Sequence, residues 1–517
     1  MKRKKGEKNI WITLIKLAIF VFVLLIQVGV FYVIYKGSLQ FSSSFNIISR
    51  IIQIIAVLYI LYGHEKLAYK IPWLIFIMFL PVAGVIIYFL WATSRVTGRM
   101  KKEREQTIKN SHKYFTYNER IETNLNLQDK NIAKQVRLIK HLTGYPVYNN
   151  EEIDYFDLGE KCFESALNDI KQAKKYILLE FYIIAKGNLY DRLYDVLKEK
   201  LNEGVKVIII ADGLGSLLRY PKHKMEDLIE SGAIVKKYNP LRYGINTYIN
   251  YRDHRKIVVI DGKIAYTGGV NIADEYVNEY VRFGHWKDNG IRLKGKTVLS
   301  YTIAFLKNLE IVTKKTPDYE WFLKENIENE QEDVENGYTM FYTDGPDNRK
   351  NPSESLIIEV ISYAKKYIYI YTPYLVPSPE VLNAILNAAN SGVDVRIITP
   401  HKPDKWYVHF MTRSYYDVLV EAGVRIYEYL PGFLHAKTIL ADDNLAICGS
   451  VNLDYRSLNL NYECGQWMYK TGVEEKIRED FEDTISKSKE ITIKDIKSKN
   501  IFIRMVEAIL NTFAPLF

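Results

Sequence analysis

One polar pattern is written twice in this chain. The first copy is His254-Arg255-Lys256, then Asp261, then Gly268-Gly269-Val270-Asn271; the second is His435-Ala436-Lys437, then Asp442, then Gly449-Ser450-Val451-Asn452. In both, His to Lys is 2 residues, His to Asp is 7, His to Gly is 14 and His to Asn is 17. The surroundings repeat as well. Lys174-Lys175-Tyr176-Ile177 and Lys365-Lys366-Tyr367-Ile368 each open a β-branched and aromatic run, Ile177–Ile184 and Ile368–Thr372. A helical pattern follows each run. Leu189, Leu193, Leu197 and Leu201 recur on one helix face, and Ser378-Pro379 supplies an N-cap and a first-turn proline. Both helices stop at a glycine, Gly204 or Gly392, and enter an apolar strand, Val205–Ile210 or Val393–Ile398. Strand, helix and strand with near-continuous apolar strands make a parallel unit covered on both faces. The expected fold is therefore α/β, with two tandem α/β/α halves about a pseudo-two-fold axis.

On a strand, His and Lys two residues apart share a face. Each half then offers an imidazole, an ammonium and a carboxamide at one strand edge, and joining the halves gathers two of each. Lys256, Lys437, Asn271 and Asn452 form a donor cradle for an anionic tetrahedral group, for which phosphate is the obvious guest. One neutral imidazole can attack phosphorus to give a phosphohistidine. The opposite one, protonated, can pass its proton to the leaving oxygen and then take one from the incoming hydroxyl. Such a scheme needs no metal and no other cofactor, because the ammoniums neutralise the phosphoryl charge. No Walker-type phosphate loop is present. Asp261 and Asp442 complete the repeated motif and join the candidate catalytic set, although their place at a turn also fits a purely structural role. The other seven histidines (His64, His112, His141, His223, His285, His401, His409) read as ordinary core or surface residues.

The chain of 517 residues suits roughly three domains of ~150 residues. At 48% hydrophobic and 25% charged it is not disordered in bulk. Its three cysteines form no disulfide framework and no CxxC pair. The net charge of +9 is uneven: residues 1–105 carry 15 Lys+Arg against 4 Asp+Glu, which leaves the remainder slightly acidic. A catalytic part near neutrality argues against a nucleic-acid binder, which needs a basic surface to displace counterions. Ile10–Tyr35 is long and apolar enough to span a bilayer, as is Ile71–Trp91 with Pro72 and Pro81 inside it. Ile47–Tyr62 is a third span or an interfacial piece. The basic clusters Lys2–Lys8 and Arg95–Arg104 both ask for the cytoplasmic side, which favours two crossings and cytoplasmic catalytic halves.

The doubled His-x-Lys-x4-Asp pattern resembles the phospholipase D superfamily. Its flanks are similar to bacterial cardiolipin synthases: Asn250–Gly262, Thr267–Ile272, Thr372-Pro373-Tyr374, Gly432–Lys437 and Asn452–Glu463. The N-terminal apolar region and the ending Ala514-Pro515-Leu516-Phe517 fit the same family. The resemblance implies two phospholipase D-like domains behind an N-terminal α-helical transmembrane region, in a multi-pass cell-membrane enzyme. It implies transfer of a phosphatidyl group from one phosphatidylglycerol to another, giving cardiolipin and glycerol. It also implies an acid beside each histidine, here Asp288 and Glu463, which would orient the rings, and a nucleophilic His254 with His435 as acid/base.

The expected organisation is 1–94 for the membrane helices, 95–145 for a basic connector, and 146–335 and 336–485 for the two catalytic domains, with 486–517 an amphipathic or apolar tail. Ile501–Phe517 either lies against lipid or packs on the catalytic part. Two rival readings remain at this level: a hydrolase of the same superfamily, in which water resolves the same intermediate, acting on phospholipid or, less in keeping with a slightly acidic, membrane-anchored chain, on nucleic acid; and a non-catalytic binder of anionic lipid. Acyl preference, an alternative phosphatidylethanolamine donor and oligomeric state leave no trace in the sequence.

Overall fold

A computed structural model describes residues 39–63, 66–89, 98–149, 151–240, 250–327, 337–348 and 351–516. The chain forms two compact units. One comprises residues 1–95, 241–249 and 512–517; the other comprises 96–240 and 250–511 and contains both copies of the polar pattern.

In the first unit, helices Leu39–Tyr62, Leu67–Phe79 and Pro81–Ile87 share a small core of Ala56, Ile60, Trp73, Ile77, Val85, Ile87 and Tyr88. The turn Ala514–Leu516 packs against Leu67–Phe79. Ile47, Ile51, Ile55 and Leu58 on the first helix remain exposed. Among the described residues no helix is long and apolar enough to cross a membrane. The expected span Ile71–Trp91 is interrupted at Leu80, where the backbone leaves the helical region and Pro81 opens a new helix. Proline lacks the N–H that would continue the ladder, and it fits best in a first turn. The short apolar piece Ile47–Tyr62 is the end of a 24-residue helix. The run Ile10–Tyr35 lies outside the described residues.

The second unit contains two sheets that repeat one topology. In the first, strands run in the order Glu152–Phe156, Gly290–Lys294, Ile264–Gly268, Ile257–Ile260, Tyr176–Phe181, Lys206–Asp212 and Ile234–Tyr238. In the second, six strands follow the corresponding order: Asn461–Tyr469, Leu445–Gly449, Thr438–Ala441, Tyr367–Tyr371, Asp394–Pro400 and Arg425–Tyr429. The last three strands of each set are parallel, and the pairings before them are antiparallel. The duplication inferred from spelling is thus a duplication of topology.

The crossover helices form where the apolar spacing placed them. Asn188–Asn202 buries Leu189, Leu193 and Leu197, and Leu201 is half-buried. Pro379–Asn390 is capped by Ser378, whose Oγ accepts from Val381 N at 3.3 Å. Gly204 and Gly392 take φ of 86° and 89°, a left-handed turn that favours glycine. Helix Val298–Thr313 is buried on nearly every side. It packs on strands of the first sheet, and its Tyr301 OH reaches Gln466 of the second at 2.9 Å.

Candidate active site

Neither His-x-Lys segment lies inside a strand, contrary to the expectation from spacing. Each is an extended link between a very short strand and the longer one that follows. Arg252–Asp253 pairs in parallel with Asn461–Tyr462 of the second half. Gly432–Leu434 pairs in parallel with His285–Lys287 of the first. The chain therefore touches the opposite half immediately before each histidine and returns to its own sheet after each lysine. Backbone bonds fix the crossings: His254 N donates to Tyr462 O at 2.9 Å, and His435 N donates to Lys287 O at 2.7 Å.

The crossings place each imidazole beside a carboxylate of the other half. His254 Nδ1 lies 2.9 Å from Glu463 Oε2, and His435 Nδ1 lies 2.7 Å from Asp288 Oδ2. All four side chains are buried. With Nδ1 donating to a carboxylate, Nε2 is the lone pair left for chemistry. The lysines lie close by. Lys256 Nζ donates to His254 O at 2.6 Å, and Lys437 Nζ donates to His435 O. Each lysine interacts electrostatically with both Asp288 and Glu463, so the two copies meet in one site. Asn271 Oδ1 accepts from Ile183 N at 3.1 Å, whereas its buried Nδ2 makes no close hydrogen bond and interacts with the Tyr276 hydroxyl. That donor suits an anion. Asn452 is held through its backbone N to Ser457 Oγ at 2.9 Å, and its Oδ1 is buried without a partner among the described residues.

Burial and charge set the protonation. Burial lowers His435 to about 3, reinforced by Lys437, whose Nζ is 2.8 Å from Nδ1. His254 is lowered as well, mainly by burial, with Glu463 opposing the shift. Burial brings Lys437 down to about 7 and Lys256 to about 8. Burial by itself would raise the carboxyls of Asp288 and Glu463. The neighbouring His and Lys outweigh it, and both stay below the ordinary range. The site thus holds ionised acids beside neutral imidazoles. A phosphate monoanion would supply the negative charge that favours a proton on one ring.

Asp261 and Asp442 do not belong to this cluster. Asp261 accepts from the backbone N–H groups of Lys174, Lys175 and Tyr176 at 2.7–2.8 Å. Asp442 does the same for Lys365, Lys366 and Tyr367 at 2.6–2.9 Å. Both sit at positive φ, 53° and 51°, in the turn after the strand that follows the lysine. At ~3.3 Å per residue each is about 16 Å along the chain from its lysine. They clip the turn to the start of the first parallel strand, which fits the structural role that their place at a turn suggested.

Spacing did not reveal the shell around the acids. Glu463 accepts from Ser450 Oγ at 2.5 Å, Ser457 Oγ at 2.6 Å and Asn461 Nδ2 at 3.1 Å, besides facing His254. Asp288 has Asn289 N at 3.0 Å. Gly269 stands where the second copy has Ser450, and a Cβ there would meet Asp288 Oδ1 at 2.0 Å. Rings wall both sides: Tyr182 packs edge-on to His254 at 5.2 Å, and Tyr276 to His435 at 5.3 Å.

A family model described as the phospholipase D-like domain of cardiolipin synthase matches residues 166–300 and 357–485, just over half the chain. A phospholipase D-nuclease N-terminal model matches 51–92. An uncharacterised protein of Streptococcus mutans is 37% identical over 465 residues, covering 89% of this chain and 99% of its own length. Cardiolipin synthase 2 of Bacillus anthracis is 34% identical over 454 residues, covering 86% of each. The crystal structure of phosphatidylserine synthase from Haemophilus influenzae superposes with a TM-score of 0.56 over 74% of this chain and 98% of that one; at 15% identity it speaks to the fold alone. The repeated topology, the crossed His–acid pairs and these matches agree: the chain belongs to the cardiolipin synthase family of proteins with paired phospholipase D-like domains.

Proposed function

We propose that this chain makes cardiolipin from two phosphatidylglycerol molecules at a membrane, through a phosphohistidine. Family membership makes it a phosphatidyltransferase acting between phospholipids. The observation that supports the route is the pair of imidazoles, each with Nδ1 on a buried carboxylate of the opposite half. His254 Nε2 attacks the phosphorus of the first lipid and the bond to its glycerol headgroup breaks. His435 gives the departing oxygen a proton, so glycerol leaves. A hydroxyl of the second phosphatidylglycerol then passes its proton to His435 and attacks phosphorus. The N–P bond breaks and cardiolipin is released. Lys256, Lys437, Asn271 and Asn452 hold the phosphate oxygens, while Asp288 and Glu463 orient the rings.

Lys437, whose Nζ lies 2.8 Å from His435 Nδ1, favours a second reading with the two histidines exchanged, because a cation so close keeps that ring neutral and a neutral ring is the better nucleophile. Membrane residence is supported by the substrates and by the helix Ile501–Phe513, which exposes Ile501, Phe502, Met505 and Ile509 while burying Glu507.

The test gives purified full-length protein only phosphatidylglycerol in vesicles and identifies products by mass. Cardiolipin with glycerol supports the proposal. Phosphatidic acid with glycerol would establish a hydrolase instead, and an unchanged lipid pool would leave a binding protein.

A further inference from the structure

Three loops meet around the rings that flank the two histidines. The first, Gly213–Tyr220, leaves a parallel strand of the first sheet and rests on Tyr182, the ring beside His254; Ser216 Oγ donates to Tyr182 O at 3.1 Å. The second, residues 278–284, follows Tyr276, the ring beside His435. The third, His401–Lys405, leaves the equivalent strand of the second sheet and holds Tyr374, whose OH donates to Asp404 at 2.6 Å. Tyr374 packs on Phe433, and Phe433 packs on His435. The loops are joined to one another. Glu275 takes Arg219 of the first loop and Arg282 of the second, and Phe283 of the second loop packs on the same Phe433 as Tyr374.

The outward face of this rim is unusual for a water-facing surface. Leu218 is 94% exposed, Val281 73% and Trp406 64%, with Tyr280 exposed beside them. Two ion pairs at the rim are oriented one way, while Glu279 of the second loop stays partly exposed and is neutralised by Arg192 at 2.7 Å. In those two pairs the carboxylates turn inward, with Glu275 only 2% exposed and Asp404 17%, whereas Arg282 and Lys405 stay 47% and 44% exposed. The rim therefore shows solvent apolar side chains beside two cations, Arg282 and Lys405, each more exposed than its acidic partner. That is the composition of a surface that enters an anionic lipid interface, the apolar tips among acyl chains and the cations at headgroup phosphates.

The geometry points to a bilayer-docking rim around the active site, formed by Leu218, Tyr280, Val281 and Trp406 with Arg282 and Lys405, whose partner is an anionic lipid surface. The inference rests on the proposed function and extends it. Docked by this rim, the site receives headgroups directly from the leaflet, so a charged diacyl lipid need not cross water to reach His254 and His435.

The three native cysteines are buried, so a single introduced thiol can be labelled in the full-length protein. A fluorophore on Val281→Cys, and separately on Leu218→Cys, is compared with one on the exposed Lys174→Cys, which precedes the first parallel strand at the end away from these loops, beside the Asp261 clip. In phosphatidylglycerol vesicles the rim probes should be quenched by lipids carrying a nitroxide on the acyl chain and be shielded from iodide, whereas the probe at 174 should show the reverse. Rim probes as open to iodide as the probe at 174, or shielded from iodide without lipid quenching, would overturn the proposal; the latter would mean that protein covers the rim. In a second arm, Leu218→Asp with Val281→Asp should cut cardiolipin formation from vesicles by about tenfold or more while turnover of dispersed short-chain phosphatidylglycerol stays within about twofold. An equal loss on both substrates would sink the docking role. If the unaltered protein makes no cardiolipin from either substrate, the proposed reaction fails while the quenching result still decides the rim.

Discussion

The two halves share six strands in one order, yet their histidines are not held alike. His254 faces Glu463, which three further side chains clamp from Ser450, Ser457 and Asn461. His435 faces Asp288, which sits tight against Gly269 and has Lys437 crowding the same ring nitrogen. A duplicated fold has thus been given one firmly clamped acid and one packed closely by backbone and lysine. The comparison teaches that the pair is reciprocal rather than repeated. Each half supplies the imidazole of one unit and the carboxylate of the other, so neither half contains a complete site.

The largest effect should come from the histidines themselves. His254→Ala and His435→Asn should each lower kcat by about 10⁴-fold, since each removes a group that makes or breaks a bond. The two should then differ. With His254 as nucleophile, His435→Asn still forms the phosphatidyl-enzyme but fails to resolve it, and intact-protein mass should show the adduct. An adduct in His254→Asn and none in His435→Asn would reverse the roles. Turnover near that of the unaltered protein in either variant would remove the scheme.

The acids and their supports come next. Glu463→Gln and Asp288→Asn should each cost about 10²–10³-fold in kcat, because the partner ring loses its fixed tautomer. Exchange of the equivalent shell residues should then be unequal. Gly269→Ser puts a Cβ where Asp288 Oδ1 sits and should approach the loss of Asp288→Asn. Ser450→Gly removes one of several donors to Glu463 and should cost about tenfold. Equal losses from the two exchanges, read by kcat at fixed folding, would show that the halves tolerate the same change and that the asymmetry is without consequence.

The reciprocal arrangement explains how much the sequence disclosed. The repeated spacing, the Leu189/Leu193/Leu197 helix face and the Ser378 cap were legible because each rests on local periodicity or local hydrogen bonding. Asp288 and Glu463 were found by resemblance. That each serves the other half was not visible, because the crossing depends on Arg252–Asp253 and Gly432–Leu434, segments too short to carry a periodic signal. The same crossing pulls His254 and His435 out of the strands where alternation had placed them. The interruption at Leu80 was not read from Pro81, because proline is tolerated within a spanning helix and an apolar run reads as one span until its backbone is known.

The lysines offer a smaller effect that is read through pH. Burial lowers Lys437 to about 7 and Lys256 to about 8. A lysine is charged below its pKa, so the cradle loses positive charge first at Lys437 and then at Lys256 as pH rises. Profiles of kcat/KM for phosphatidylglycerol report the free enzyme and should therefore fall on the alkaline side, beginning near pH 7. Lys437→Arg keeps its charge across the range, so the surviving limb should move up toward pH 8. An unmoved limb would mean that Lys437 is not the group being titrated.

The smallest effect on chemistry should come from the aspartates of the repeated motif, where the two halves are most alike. Asp261 and Asp442 each accept three backbone N–H groups and anchor the turn to the first parallel strand, about 16 Å along the chain from the lysines. Asp261→Asn and Asp442→Asn keep an acceptor but lose its charge, which weakens each charge-assisted bond. Each should lower unfolding stability by about 1–3 kcal/mol and leave kcat within about twofold at a temperature where the protein stays folded. Denaturant midpoints and turnover measured on the same preparation separate the two effects. A hundredfold fall in kcat with an unchanged midpoint would return the aspartates to the chemistry. A loss confined to one half would break the equivalence that the matching turns display.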